Sequence, residues 1–434
     1  VPLSDRQAID QASSLLDYRN GEQHRIERIH RYWRGHQQFY WLPTGVPLEV
    51  RRMAEISRVN VLKFIVDAAA QSMYVDGLRE PGADGNEPVW DVWQANRMDA
   101  RQVELHRSTL AYGAGYAVVL PGDPLPVIRA RSPRKMTCVY DADEDWPQWA
   151  IEERDDGLYR LFDATAVYWL RRNDFGNLEV VNTQEHGVGV VPVVRFRDQG
   201  EIDGEVLGQV EPHIPLQDQI NLTTFSLLVA QHYGAHRQRY IIGWLAESEE
   251  QALRASAQRL WTFEDDPDDV KIGEFEQTDL SGYIESREAS LRHMAALSQT
   301  PVHEMLGQMA NLSAEALVAA RDSHNRKIAE HQTMMGESHE QVMQLAGAMS
   351  GLAVSPQAWV RWRDMEGRSL SQTADALGKA VESLGIPARA MWDRFAEALG
   401  ASQQEVESWV EISEQMDPIA QMEQEFQRQA SNFE

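Results

Sequence analysis

The sequence predicts an α+β protein. Three observations carry this. Residues 1–42 and 58–75 show apolar residues at helical spacing, residues 110–197 switch to short alternating runs divided by turn residues, and everything from Gly208 onward returns to helical patterning with one short strand. At 434 residues, 43% of them hydrophobic, the chain is long enough for two or three domains with real cores.

QAIDQASSLLDYRN and HRIERIHRYWRGHQQFYWL open the chain as charged helix. In RVNVLKFIVDAAAQSMYV (58–75), Val61, Phe64, Ile65, Ala68 and Ala69 form one predicted face. Residues 87–107 read as one further helix or a pair. Strands follow in YGAGYAVVLPG, PVIRARSP, MTCVYDADED, PQWAIEERD, LYRLFDATAVYWLRR and LEVVNTQEH, and GVVPVVRF closes the sheet region. Within it, Asp141, Asp143, Asp145 and Glu152 follow calcium-loop spacing. The sixth position, however, holds Trp146 where that loop needs Gly, and both flanks read as strand. An acidic hairpin tip is the better reading.

From Gly208 the helical pattern carries Leu216, Ile220, Thr223, Leu227 and Ala230 at spacings of four and three, a narrow seam suited to packing against like neighbours. Pro212 and Pro215 sit at its start, where proline is tolerated. A small insert comes next: the helical SEEQALRASAQRLW, then FEDDPDDVKIGEFEQTD with eight acidic residues and one Lys. A second helix leads to SQTPVHEMLGQMANLSAEALVAARDSHNRK. His303-Glu304 looks like the start of a zinc-protease helix, but Gly307 stands where the second His belongs. From about Ser313 to Ser350 one helix runs roughly 55 Å. Its middle, RDSHNRKIAEHQ, is polar nearly all round, which predicts a helix bridging solvent or packed in an assembly. Gly336 inside it costs about 1 kcal/mol relative to Ala and predicts a bend. His324, His331 and His339 share a face and read as polar-face residues, not ligands. AWVRWRDM (358–365) reads as a strand. Capping boxes at Ser369–Gln372 and Ser402–Glu405, with Gly385, Pro387 and Gly400, mark a C-terminal helical unit.

Composition narrows function. Asp and Glu exceed Lys and Arg by 67 to 41, a net charge of −26. Gripping DNA in solution usually calls for a basic balance or stripe, and neither is visible. No run is apolar enough to span a membrane. The opening VPLSDRQAID is polar and holds no apolar signal core, so a cytosolic chain without membrane contact is expected. The single cysteine, Cys138, excludes a disulfide within the chain. GxxxxGK[ST], GxSxG and HExxH are all missing, so catalysis, metal and cofactor binding are not expected; a metal-dependent hydrolase is the remote alternative.

The order of segments resembles the portal proteins of tailed bacteriophages, in particular the portal family of actinobacteriophages. The resemblance is carried by RVNVLKFIVDAAAQSMYVDGLR, VWDVWQANRMD, LAYGAGYAVV, ARSPRKMTCVYD, GVVPVVRF, LGQVEPHIPLQDQINLTTFSLLVAQHYGAHRQRYIIGW and SQTPVHEMLGQMANLSAEAL, and fades after about residue 415. It implies a portal-like protomer: wing 1–206, stem helix one 207–240, clip 241–281, stem helix two 282–298, tunnel loop 299–312, channel helix 313–350, wing return strand 351–368 and helical crown 369–434. It implies a ring of twelve subunits at the unique capsid vertex, in the virion and, during assembly, in the host cytoplasm. The expected partners are further copies of the chain, the terminase motor, head–tail adaptors, major capsid and scaffolding proteins, and double-stranded DNA passing without tight binding. Another ring-forming head–tail connector is the nearest alternative. On this reading Gly307, Gln308, Met309 and Asn311 face DNA from a mobile loop. Trp244, Trp261 and Phe263 pack the clip between subunits, and Glu264, Asp265, Asp266, Asp268 and Asp269 face a basic partner or the channel mouth. No Lys or Arg occurs between Arg292 and Arg321, so the loop is suited to touching a duplex without counterion release.

Overall fold

The computed structural model describes residues 1–39, 42–80, 86–141, 143–200, 206–234, 239–242, 271–274, 279–307, 314–363, 365, 370–387, 391–399, 401 and 403–416. The chain opens with α1 (Asp5–Trp33), α2 (Leu48–Ile56), α3 (Val61–Gln71), β1 (Val75–Arg79), α4 (Trp90–Ala95) and α5 (Met98–Tyr112). Strands β2 (Ala114–Leu120), β3 (Val127–Arg131), β4 (Met136–Tyr140), β5 (Pro147–Glu153), β6 (Leu158–Phe162), β7 (Ala166–Arg172), β8 (Leu178–Glu185) and β9 (Val193–Arg197) follow. After the two-residue β10 (Gln199–Gly200) and β11 (Val206–Leu207) come α6 (Ile214–Gly234), β12 (Arg239–Ile242), β13 (Lys271–Glu274), α7 (Ser281–Leu297) and α8 (Val302–Leu306). The long α9 (Ala314–Ser350), β14 (Trp359–Trp362), α10 (Leu370–Leu384), α11 (Trp392–Leu399) and α12 (Gln403–Met416) complete the chain.

Two sheets organise the body. β4 to β8 form an antiparallel meander in sequence order, and β3-β2-β9 form a second antiparallel sheet. The period-two alternation of β2 serves both of its faces. Tyr116 and Val118 pack with Met136, Cys138, Phe162 and Val167 between the sheets, while Ala117 and Val119 face the main core under α3, α5 and α9. Helix α1 spans two cores: Ala8, Ala12, Leu15 and Leu16 cover the meander, and Ile26, Ile29 and Tyr32 join the main core. A capping box starts it, the Ser4 N–H donating to Gln7 Oε1 at 3.0 Å.

The predicted 58–75 helix is present, but its buried face is Val61, Leu62, Ile65, Val66, Ala69 and Ala70. Phe64 and Ala68 lie at its margin, because a broad i, i+1, i+4 stripe packs on two neighbours at once. The 87–107 segment is a pair of helices, broken where Arg97 takes φ 54°. The 141–145 acidic stretch is a hairpin tip between β4 and β5. Asp141 accepts from Gln148 Nε2 at 3.0 Å, and Glu152 is buried on β5, ion-paired to Arg131 and Arg160. The twelfth position of the calcium-like spacing is therefore consumed inside the sheet.

β14 pairs antiparallel with β1, Leu78 opposite Val360. Gly336 lies where α9 crosses this strand: a Cβ there would sit 3.4 Å from Val360 Cγ2 and 3.6 Å from Trp362 Nε1. The glycine allows close packing, and α9 runs as one helix through it. Among the C-terminal helices, α10 ends at Gly385 with φ 66°. Pro387 lies ahead of the next described helix, which begins at Trp392 and not beside the proline. Ser369, Gly400 and Ser402 fall outside the described residues.

Candidate functional site: the stem, its loop and the long helix

The chain leaves the body along α6 and returns along α7, which packs against it. The entry to α6 is pinned by a crossing of glycines. Gly113 takes φ 89° at the end of α5, and a Cβ on Gly208 would lie 2.4 Å from the Gly113 nitrogen. Only residues without a Cβ let the two backbones pass this closely. Three polar side chains then fix the base of α6. Gln217 Oε1 accepts from Val61 N at 3.1 Å and Leu62 N at 3.3 Å, occupying free donors at the α3 N-terminus. Asn221 Oδ1 accepts from Val59 N at 3.1 Å, and Tyr32 donates to Asp218 at 2.9 Å. Burial raises the Asp218 carboxyl above its usual range. Sequence patterning missed these anchors. Their signal was the run of polar residues at 217, 218 and 221 on a helix with otherwise apolar spacing.

The predicted seam is partly internal. Ile220 and Leu227 are buried within the protomer, Leu216 packs at the edge of the main core, and Thr223 and Ala230 are only partly covered. Thr223 turns its hydroxyl onto the Gln219 carbonyl at 2.9 Å. The apolar surface that stays open on α6 and α7 lies elsewhere: Leu222, Tyr283, Ile284 and Leu297 are exposed, Leu297 by 70%.

The long helix corrects an expectation. It is not polar on all sides facing solvent; it buries a face containing His324, Lys327, Ile328, His331, Met335, Ser338, His339, Val342, Met343 and Ala346. The sequence misled because half of this face is polar, and those side chains meet polar groups of distant segments inside the protomer. Lys327 Nζ donates to Gln209 Oε1 at 2.5 Å and to the Ser298 carbonyl at 2.8 Å. Gln209 Nε2 in turn donates to Asp198 Oδ2 at 2.7 Å. His331 Nδ1 lies 2.9 Å from the other Asp198 oxygen. Burial pushes the Lys327 ammonium down to about 8, against the opposing pull of Asp198 and Glu330. Further along, His339 Nε2 meets His106 Nε2 at 2.8 Å among Trp93, Phe196 and Trp362. Burial holds His106 at about 4 and His339 well below its ordinary value. The histidines are core residues, and their shared helix face is a packing face.

The described part of the 299–312 segment is also more ordered than a mobile loop. Ser298, Thr300 and Pro301 are buried, and Gln299 takes φ 50° with its carbonyl 3.1 Å from His324 Nδ1. A helical turn, α8, follows, and Glu304 pairs with Arg321 at 2.6 Å. His303-Glu304 therefore sits on this turn with its carboxylate committed to an arginine. Gly307 ends the turn at φ 65°, exposed, and a Cβ added to it would meet no atom within 4 Å. Gln308, Met309 and Asn311 lie outside the described residues, as do Trp244, Trp261, Phe263, Glu264, Asp265, Asp266, Asp268 and Asp269. Of the 241–281 insert, residues 241–242, 271–274 and 279–281 are described. β13 pairs antiparallel with β12, so the paired unit starts at Arg239.

Residues 14–418 match the family model described as phage portal protein, SPP1 Gp6-like. The portal protein of Mycobacterium phage D29 is 24% identical over 367 residues, covering 77% of this chain and 75% of that protein. That of Mycobacterium phage L5 is 25% identical over 366 residues, covering 77% and 74%. Among solved structures, a chain in the neck of an empty GTA particle, computed with C6 symmetry, aligns at TM-score 0.49 and 16% identity, covering 83% of this chain and 95% of that one. A chain in the virion of a native gene transfer agent particle aligns at TM-score 0.48 and 16% identity, covering 80% and 92%. With a family match across nearly its whole length, the chain belongs to the phage portal protein family, SPP1 Gp6-like.

Proposed function

We propose that the chain is the subunit of a closed ring, twelve-fold by the family resemblance, that sits at one capsid vertex of the virion and conducts double-stranded DNA. The observation that carries this reading is the stem. A helix pair anchored firmly to the body at its base leaves Leu222, Tyr283, Ile284 and Leu297 exposed along its length. Apolar side chains left exposed along a helix pair call for a partner surface, and a cyclic array of identical subunits supplies one without leaving open ends.

In this arrangement α6 and α7 line the channel, the 239–274 unit forms the outer rim, and the segment after Gly307 approaches DNA. A chain with a net charge of −26 would hold the duplex weakly, which suits translocation. The rim would receive the terminase motor during packaging and an adaptor afterwards. The wing would meet capsid and scaffolding proteins. Native mass spectrometry of the purified chain at micromolar concentration and physiological salt tests the ring. Closed oligomers are expected, and monomers alone would overturn the proposal.

A further inference from the structure

Lys327 joins three segments that are far apart in sequence. Its ammonium donates to the Ser298 carbonyl at the C-terminus of α7 and to Gln209 ahead of α6, and Gln209 is held by Asp198 beyond β9. The lysine is 6% exposed and Ser298 2%. A cation at the end of a helix meets the free carbonyls there and the negative end of its dipole. One turn earlier on α9, His324 Nδ1 contacts the Gln299 carbonyl, at the residue whose φ of 50° turns the chain out of the helix. Backbone bonds complete the knot: Thr300 N donates to the Ala295 carbonyl at 2.9 Å, and Ser298 Oγ to Thr300 Oγ1 at 3.0 Å.

We propose that Lys327 is a positioning residue that clamps the end of stem helix two to the long helix, so that motion of the DNA-facing loop begins beyond Pro301 and not at residue 299. The inference rests on the proposed channel only for its consequence. The clamp itself is a property of the protomer and is read without DNA. A fixed anchor at 298–301 converts any displacement of α9 into displacement of the loop root, with no slack between them.

The test is hydrogen–deuterium exchange on the full chain with Lys327→Met. Methionine keeps the length and apolar stem of the side chain while removing the charge; it leaves Asp198 and the Ser298 carbonyl buried without the ammonium, so some loss of stability is expected. The melting temperature should fall. Amides at 298–307 should exchange faster by about tenfold or more beyond any change in the 338–350 part of α9, as expected for a local opening. Unchanged exchange at 298–307 in the folded variant would overturn the clamp. Should Lys327→Met fail to fold, the wild-type chain provides the same reading between pH 7 and 9, where the ammonium loses its proton. The charged and titratable groups facing it are Asp198, Glu330, His213, His324 and His331. After correction for intrinsic exchange, protection at 298–307 should fall as pH rises, and constant protection would overturn the proposal. A chain that loses the clamp yet packages DNA normally would leave the clamp standing and count against the channel role of the loop.

Discussion

Acidification should loosen the long helix from the body, and His106 with His339 sets the size of the effect. Both are fully buried, with Nε2 atoms 2.8 Å apart, a geometry that needs at least one unprotonated nitrogen facing the other ring. Burial lowers His106 from 6.5 to about 4. The sign follows from proton uptake. Below 6.5 the unfolded chain binds a proton at this residue and the folded chain does not, so stability falls as pH drops from 6.5 and levels off below 4. For His106 alone the loss between pH 7 and pH 5 is about 2 kcal/mol, rising to about 3 kcal/mol below pH 4. His339, lowered still further by burial and by His106 beside it, adds in the same direction. For a chain of this length about 2 kcal/mol corresponds to a fall in Tm of about 2 °C. The assay compares Tm at pH 7 and pH 5 for wild type and for His106→Leu/His339→Leu by scanning calorimetry. Taking the difference between the two pH values removes the variant's own packing cost. The double variant should show a smaller pH-dependent fall by about 2 °C or more. An identical fall in both proteins would refute the reasoning.

Three further outcomes are expected. Glu152→Gln removes the partner of Arg131 and the buried Arg160; denaturant unfolding should show a loss of about 3–5 kcal/mol, because a guanidinium is left buried without its counter-charge. Gly307→Pro cannot adopt the φ of 65° that ends α8; rings of normal size with a large loss of packaged DNA are expected, and wild-type packaging would refute the mobile-loop role. Changing Glu264, Asp265, Asp266, Asp268 and Asp269 to their amides should weaken terminase or adaptor capture in a pull-down and leave the ring mass unchanged in kind; full capture would remove these residues from the interface.

Element types were legible where periodicity was clean. The alternation of YGAGYAVVL and the turn residues between the following runs located the sheet region. Errors arose where polarity was read as exposure. His324, Lys327, His331 and His339 look like a solvent face in RDSHNRKIAEHQ and its continuation. Each is buried because Gln299, Ser298, Asp198 and His106, from distant segments, meet it. Pairing of this kind is a tertiary property, and no local pattern carries it. Gln217 and Asn221 were missed for the same reason. Their partners are backbone groups at 59–62, more than 150 residues earlier. The loop boundary at 299 followed the family resemblance, and the Ser298 carbonyl just before it is met by a lysine one helix away.

The pairing of β1 with β14 also constrains how the chain can be made. Arg361 and Arg363 close on Asp76 across 285 and 287 positions, and α9 covers β9 and β2 only after residue 314. At about 5–20 residues per second of synthesis, the first 197 residues wait on the order of ten seconds for their lid while the stem emerges. Closing such non-local contacts is slow. The stem helices are thus on the ribosome before the body that anchors them is complete, and the last strand of the main core arrives behind them. A protomer truncated before Trp359 would expose its core and its stem surface together. Finishing the body last ties competence to assemble to completion of the chain.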